Sequence, residues 1–184
     1  MRLILTGCRG AGKSTVGKLL RRKLGFPLFD TDKSVEQSAG KSISEIFAES
    51  GEKRFRTLES DIIKKLSGLK ECVIALGGGA VLRKSNISNL KKQSKTLIIY
   101  LYAPAEILQA RCEKERKSVS QRPLLTAFGG LTEMKEILKS REKIYKRVSN
   151  MTIDTSALNP SKAANRIIKF IPEFFAKSKT KLHR

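Results

Sequence analysis

The chain has 184 residues, 40% of them hydrophobic, and its 38 Lys and Arg against 17 Asp and Glu give a net charge of +21. That length fits one domain, and a chain of this size buries roughly 70% of its unfolded surface on folding, so disorder is not the default. The charge predicts attraction to phosphates, acidic small molecules or nucleic acid without choosing among them, and no apolar run approaches the roughly 20 residues of a membrane span.

Short apolar runs alternate with stretches of helical period, the pattern of an α/β fold with a mostly parallel sheet. In chain order, residues 2–6 read as a buried strand and residues 13–24 as a helix stopped by Gly25. Residues 27–29 form a shorter strand candidate, followed by a helical segment over 33–39. Ser42 and Glu45 spell a capping box for a short helix carrying Ile43, Ile46 and Phe47. Phe55, Leu58, Ile62 and Leu66 then recur at helical spacing over 52–66. Residues 72–76, 96–101 and 151–154 continue the strands, nearly continuously apolar as helices on both faces require. Helices over 104–112, 133–148 and 161–170 complete the pattern, with Pro104 and Pro160 at or near helix starts. Residues 113–121 are charged without an apolar period and predict an exposed, mobile loop. The tail 177–184 has little to bury and predicts a frayed, solvated end.

Cys8, Cys72 and Cys112 match neither a zinc-site spacing nor a disulfide framework, so they read as reduced intracellular thiols. The apolar stretch at residues 2–5 is too short for a signal-peptide core. A cytoplasmic protein is expected.

Gly7-Cys-Arg-Gly10-Ala11-Gly12-Lys13-Ser14 fits GxxxxGK[ST] between a predicted strand and a predicted helix. Glycines let backbone N–H groups turn inward on an anion, and the helix N-terminus adds positive potential. Lys13 reaches the β- and γ-phosphates, and Ser14 ligates Mg²⁺. The alternative is a plain glycine-rich turn. The chain shows no guanine-reading motif and no ABC signature, and it is too short for a helicase module, so small-molecule kinases lead.

Asp30 and Asp32 end the second strand, where ligands gather in open α/β sheets. Taken alone, Asp32 is as readily the N-cap of 33–39, and Asp30 an ordinary turn residue. Gly77, Gly78 and Gly79 follow the third long strand and permit a ligand to approach the backbone. Arg56 and Glu59, one helical turn apart, read alone as a surface ion pair of little weight.

Taken in order, Gly10–Thr15, Phe29-Asp-Thr-Asp32, Ile46-Phe47, Phe55-Arg56 with Glu59, Gly77–Gly79, Arg122-Pro-Leu-Leu125, and Arg141 followed by Tyr145 resemble the shikimate kinases over nearly the whole chain. The resemblance implies a single P-loop kinase domain over 1–184, a three-layer sandwich with a central five-stranded parallel sheet flanked by helices. A substrate-binding region about 30–60 and a mobile lid about 113–126 go with it. It also implies transfer of a phosphoryl group from MgATP to the shikimate 3-hydroxyl. Lys13, Asp32 and Arg122 would be catalytic, Arg122 acting as a lid arginine on the transferring phosphates. Gly10, Ala11, Gly12, Lys13, Ser14, Thr15, Arg111 and Arg122 would bind ATP, with Arg111 stacking on the adenine. Asp32, Arg56, Gly77, Gly78, Gly79 and Arg141 would bind the acceptor, the two arginines holding its carboxylate. Ser14, and Asp30 through water, would serve Mg²⁺. Phe47 and Phe55 would wall the pocket, a place that core packing explains equally well.

The stretch from Arg111 to Arg122 is several residues longer than the family pattern. Leu158 stands where many relatives have an arginine near the adenine, leaving Asn159 and Pro160 as weaker candidates. Cys8 beside the phosphates is either a thiol activated by the helix N-terminus or inert filler, the latter preferred. The partners expected are ATP and shikimate, with no nucleic acid, no membrane and a monomeric state. The competing readings are another P-loop small-molecule kinase, such as a gluconate kinase, and a nucleic-acid-binding ATPase suggested by the charge. Against the second, Lys and Arg are scattered through all the predicted helices, with no RNA-binding aromatic motif beside them.

Overall fold

A computed structural model describes residues 1–116 and 129–180. Its centre is a sheet of β1 (Arg2–Thr6), β2 (Leu28–Asp30), β3 (Cys72–Ala75), β4 (Thr96–Tyr102) and β5 (Met151–Asp154). All pairings are parallel, in the order β2-β3-β1-β4-β5. Arg2 of β1 lies opposite Cys72 on one side and Thr96 on the other, so β1 is central. Leu3, Ile4, Leu5, Val73, Ile74 and Leu97 are fully enclosed, because the flanking helices cover the sheet.

The helices are α1 (Lys13–Leu24), α2 (Thr31–Ala39), α3 (Ile43–Leu66), α4 (Lys84–Lys91), α5 (Ala105–Arg116), α6 (Gly130–Val148) and α7 (Pro160–Thr180), with a 3₁₀ turn at Ala80–Leu82. They pack α1 on α7, α2 on α3, α3 on α4 and α5 on α6. None among the described residues is long and apolar enough to cross a membrane. The capping box predicted at Ser42 and Glu45 is present in both directions. Gly51, at φ 71°, interrupts α3 and separates the capping-box turn from the longer stretch beyond it.

Several boundaries differ from expectation for identifiable reasons. α2 starts at Thr31, capped by the Asp30 carboxylate, which accepts from the N–H groups of Asp32 and Lys33. Asp32 is therefore not an N-cap. α4 went unpredicted because its eight residues carry few apolar positions, Ile87 and Leu90 among them. Residues 113–116, read as loop, extend α5, helped by a Gln109 to Glu113 side-chain bond of 2.8 Å and by good helix formers. α7 continues ten residues past Phe170 to Thr180 despite Pro172, and so takes in the first four residues of the predicted tail. The stripe of Ile171, Phe174 and Phe175 goes on packing against the core and outweighs the one helical bond that proline removes. Arg122 and residues 117–126 of the expected lid lie outside the described residues, as does the end of the tail.

At the amino end of the sheet Arg2 is buried, with no carboxylate partner among the described residues. Its Nη1 donates to the Ser67 carbonyl (2.7 Å) and its Nη2 to the Leu90 carbonyl (2.5 Å) and the Thr96 hydroxyl (2.9 Å). Ser67 caps α3 and Leu90 lies in the last turn of α4, so the cation sits at two negative helix ends.

Candidate active site

In a sheet of this order the crevice forms at the carboxyl ends, where the connections diverge to either side of β1. The loop after β1 and the glycines after β3 meet there. Gly7 (φ 142°) and Gly10 (φ 75°) adopt backbone conformations that side chains avoid. A Cβ would also fall 2.4 Å from the Leu101 carbonyl at Gly7 and 2.6 Å from the Leu108 carbonyl at Gly10. These positions accept only glycine, and the resulting loop presents its N–H groups ahead of α1. Lys13 Nζ donates to the carbonyls of Gly7 (2.9 Å) and Cys8 (2.8 Å), which holds the ammonium over the loop.

Ser14 and Asp30, placed together by the sequence reading, are joined: the serine hydroxyl donates to Asp30 Oδ2 at 2.7 Å. A hydroxyl and one carboxylate at the mouth of a phosphate loop suit Mg²⁺, which keeps most of its waters and takes few protein ligands. Asp30 carries the α2 cap on its other oxygen, so its position is fixed from two directions.

Across the loop lies a cleft on the acceptor side. Asp32, Arg56, Gly78, Gly79 and Arg141 line it, and Phe47 and Phe55 form its apolar wall with ring centroids 5.1 Å apart. Both phenylalanines therefore serve the pocket and the core at once. Arg56 and Glu59 are not a surface pair. Both are buried, at 8% and 0% exposure, and joined at 2.9 Å, with Glu52 bonding the Arg56 Nε at 3.0 Å. Burial pushes the Glu59 carboxyl upward, against the opposing pull of Arg56.

The glycine triplet does more than admit a ligand. A Cβ at Gly77 would fall 2.4 Å from Asp32 Oδ1 and 2.7 Å from Glu59 Oε1, and one at Gly79 would fall 2.4 Å from both Arg56 terminal nitrogens. Gly77 and Gly79 thus make room for the protein's own charged side chains. Gly78 faces the phosphate loop and Arg141. The Gly77 N–H is taken by the buried Thr31 hydroxyl at 2.7 Å.

On the nucleotide side, a second cleft is lined by Gly10, Gly12, Thr15, Arg111, Leu158 and Pro160. The Arg111 guanidinium donates to the Thr155 hydroxyl (3.0 Å) and carbonyl (2.6 Å), which fixes it beside the end of β5. Asn159 is occupied otherwise: its side chain accepts from the Lys162 N–H at 2.8 Å and caps α7. Cys8 is buried, and burial raises its thiol pKa, so the helix N-terminus does not make it a reactive thiolate.

Four residues of the site escaped the sequence reading in these roles. Thr31 anchors the glycine triplet and Thr155 anchors Arg111. Arg9, on the cleft wall, is held at 2.8 Å by the buried Glu133 of α6. Glu133, Ile137 and Arg141 follow one another at i, i+4 and i+8, a signal visible in the sequence once Arg141 is known to face the cleft.

Residues 9–172 match the family model described as shikimate kinase. A shikimate kinase of Thermodesulfovibrio yellowstonii is 40% identical over 91% of this chain and 92% of its own length. One of Caldanaerobacter subterraneus is 41% identical over 91% of this chain and 94% of its own. The solved shikimate kinase from Acinetobacter baumannii in complex with shikimate superposes with a TM-score of 0.85 at 33% identity, covering 94% of this chain and 93% of that one. A gluconokinase from Sinorhizobium meliloti shares the fold at a TM-score of 0.62 and 14% identity, so the fold alone does not choose the acceptor. With the family model matching residues 9–172 and a relative 40% identical over 91% of the chain, the chain belongs to the shikimate kinase family.

Proposed function

We propose that residues 1–184 act as one kinase domain that transfers the γ-phosphoryl group of MgATP to the 3-hydroxyl of shikimate, giving shikimate 3-phosphate and ADP. The observation that carries the acceptor assignment is the charge pattern of the cleft. Arg9 is paired with Glu133, and Arg56 with Glu52 and Glu59, whereas Arg141 has no carboxylate partner among the described residues. An anionic acceptor supplies the missing charge, and the planar Arg56 and Arg141 guanidiniums suit a carboxylate.

In this reading Asp32, at the start of α2, accepts from the acceptor hydroxyls and orients the attacking one, and the Gly78 N–H donates to the acceptor. Gly10, Ala11, Gly12 and Thr15 hold the phosphates through backbone N–H groups, and Lys13 leaves its loop carbonyls for the β- and γ-oxygens. Ser14, with Asp30 through water, holds Mg²⁺, which neutralises charge on those oxygens when bound. Arg111 stacks on the adenine, and Arg122 reaches the transferring group. Phosphoryl transfer through a loose transition state asks for position and charge more than for strong base catalysis. A carboxylate that orients the hydroxyl therefore suffices.

The test is ADP release from MgATP with shikimate, quinate, gluconate or AMP as acceptor. A response confined to shikimate supports the assignment. An equal response to gluconate, or none to shikimate, overturns it.

A further inference from the structure

One buried hydroxyl joins the glycine triplet to the phosphate loop and is used by none of the steps above. Tyr145 of α6 is fully enclosed, and its ring stacks on Tyr100 at 5.0 Å. Its hydroxyl donates to the Gly78 carbonyl at 2.5 Å and accepts from the Cys8 thiol at 3.8 Å. Arg141 lies one helical turn earlier on α6. A phenol has one proton to give, and this one is committed to the Gly78 carbonyl. Its two partners come from the phosphate loop and the glycine triplet.

The geometry at Gly78 gives the contact a direction. The peptide joining Gly78 to Gly79 is trans, as are all the described peptides, so its N–H, on Gly79, points opposite to the carbonyl that Tyr145 holds. Among the described residues neither the Gly78 nor the Gly79 N–H donates to a protein acceptor, and both glycines line the cleft. Releasing the carbonyl would let this peptide rotate, and glycines on both sides of it offer little resistance.

We propose that Tyr145 is a positioning residue for the acceptor: its hydroxyl fixes the Gly78–Gly79 peptide in one arrangement against the phosphate loop. This inference rests on the shikimate reading for the identity of the acceptor. It goes beyond that reading by assigning to α6 a second contribution, made through other groups.

Tyr145→Phe keeps the ring, its volume and the stack on Tyr100 and deletes only the oxygen. Steady-state kinetics should show the KM for shikimate rising about tenfold while the KM for MgATP stays within about twofold, because the hydroxyl's one contact to the phosphate loop is a weak thiol donor at 3.8 Å. Tyr100→Phe is the control: the Tyr100 hydroxyl is buried beside the same ring without a hydrogen-bond partner among the described residues, and its loss should move neither KM. A Tyr145→Phe enzyme whose two KM values are unchanged, or rise together, would overturn the positioning role. Wild-type enzyme inactive on shikimate would overturn the functional reading instead, and the two failures are read from different proteins.

Discussion

Replacing Gly79 with alanine tests the acceptor clamp through a single displaced side chain. Gly79 has φ −97° and ψ −6°, a conformation that alanine adopts without strain. The new Cβ would sit 2.4 Å from Nη1 and Nη2 of Arg56 and 2.6 Å from its Cζ. Non-bonded contacts relax only near 3.5 Å, so the guanidinium must withdraw by about 1 Å. That distance breaks the fork geometry a carboxylate needs and loosens the 2.9 Å bond to Glu59. Losing one charge-assisted hydrogen bond costs about 1.5–3 kcal/mol. At about 1.4 kcal/mol per factor of ten, the KM for shikimate should rise about 10- to 100-fold. The KM for MgATP should stay within about twofold, since Arg56 lies across the cleft from the nucleotide side. Coupled-assay kinetics on Gly79→Ala and wild type decide the matter. A shikimate KM within twofold of wild type, or a parallel rise for MgATP, would refute the claim that Gly79 is glycine to make room for Arg56.

Other perturbations separate the remaining parts of the molecule. Arg111→Ala should raise the KM for MgATP several-fold and leave that for shikimate unchanged; the reverse pattern would remove Arg111 from the nucleotide side. Arg2→Ala strands the carbonyls of Ser67 and Leu90, while the Thr96 hydroxyl keeps its bond to the Gln93 carbonyl. At about 1–3 kcal/mol for each orphaned buried group, discounted for relaxation, the loss is about 3–5 kcal/mol. For a domain of this size that lowers Tm by roughly 10 °C, so a drop below about 3 °C in thermal denaturation would contradict the anchoring role. Iodoacetamide at neutral pH should leave Cys8 unmodified in the folded chain, with labelling appearing by mass spectrometry only on denaturation. Its buried thiol carries too little thiolate to react.

What was legible in the sequence was contiguous. The phosphate loop, the Ser42 capping box and the apolar strands each announce themselves within about ten residues, and each stands where it was expected. The acceptor cleft is assembled from the phosphate loop, α2, α3, the turn after β3 and α6, and its logic is lost in one dimension. Arg56 and Glu59 at i, i+3 look like any exposed pair, because spacing does not say which helix face is covered. Their burial follows from the packing of α3 against α2, α4 and the 3₁₀ turn that follows the glycines. Gly77 and Gly79 invite an explanation from bound ligand, whereas their crowding comes from Asp32, Glu59 and Arg56, distant in sequence. Arg9 and Glu133 are 124 positions apart, and only the approach of α6 to the loop makes them a pair. Asp30 illustrates a residue with two explanations that are both correct: it caps α2 with one oxygen and meets Ser14 with the other.

The break in α3 at Gly51 bears on how small inhibitors would meet this enzyme. Beyond Gly51, the helix carrying Arg56 and Glu59 is moored at its far end, where Arg2 grips Ser67. Before it, the short segment with Ile43 and Phe47 is held by the Glu36 carboxylate at the Ile43 N–H and by the packing of Phe47 on Phe55. The cleft therefore has a charged wall moored beyond the break and an apolar wall, Phe47 with Phe55, that straddles it. Analogues that enlarge the face of the ring turned toward Phe47 ask a short segment to give way, whereas those that alter the carboxylate ask a guanidinium tied into a network of ion pairs to do so. A medicinal chemist would look for tolerance on the first side and discrimination on the second.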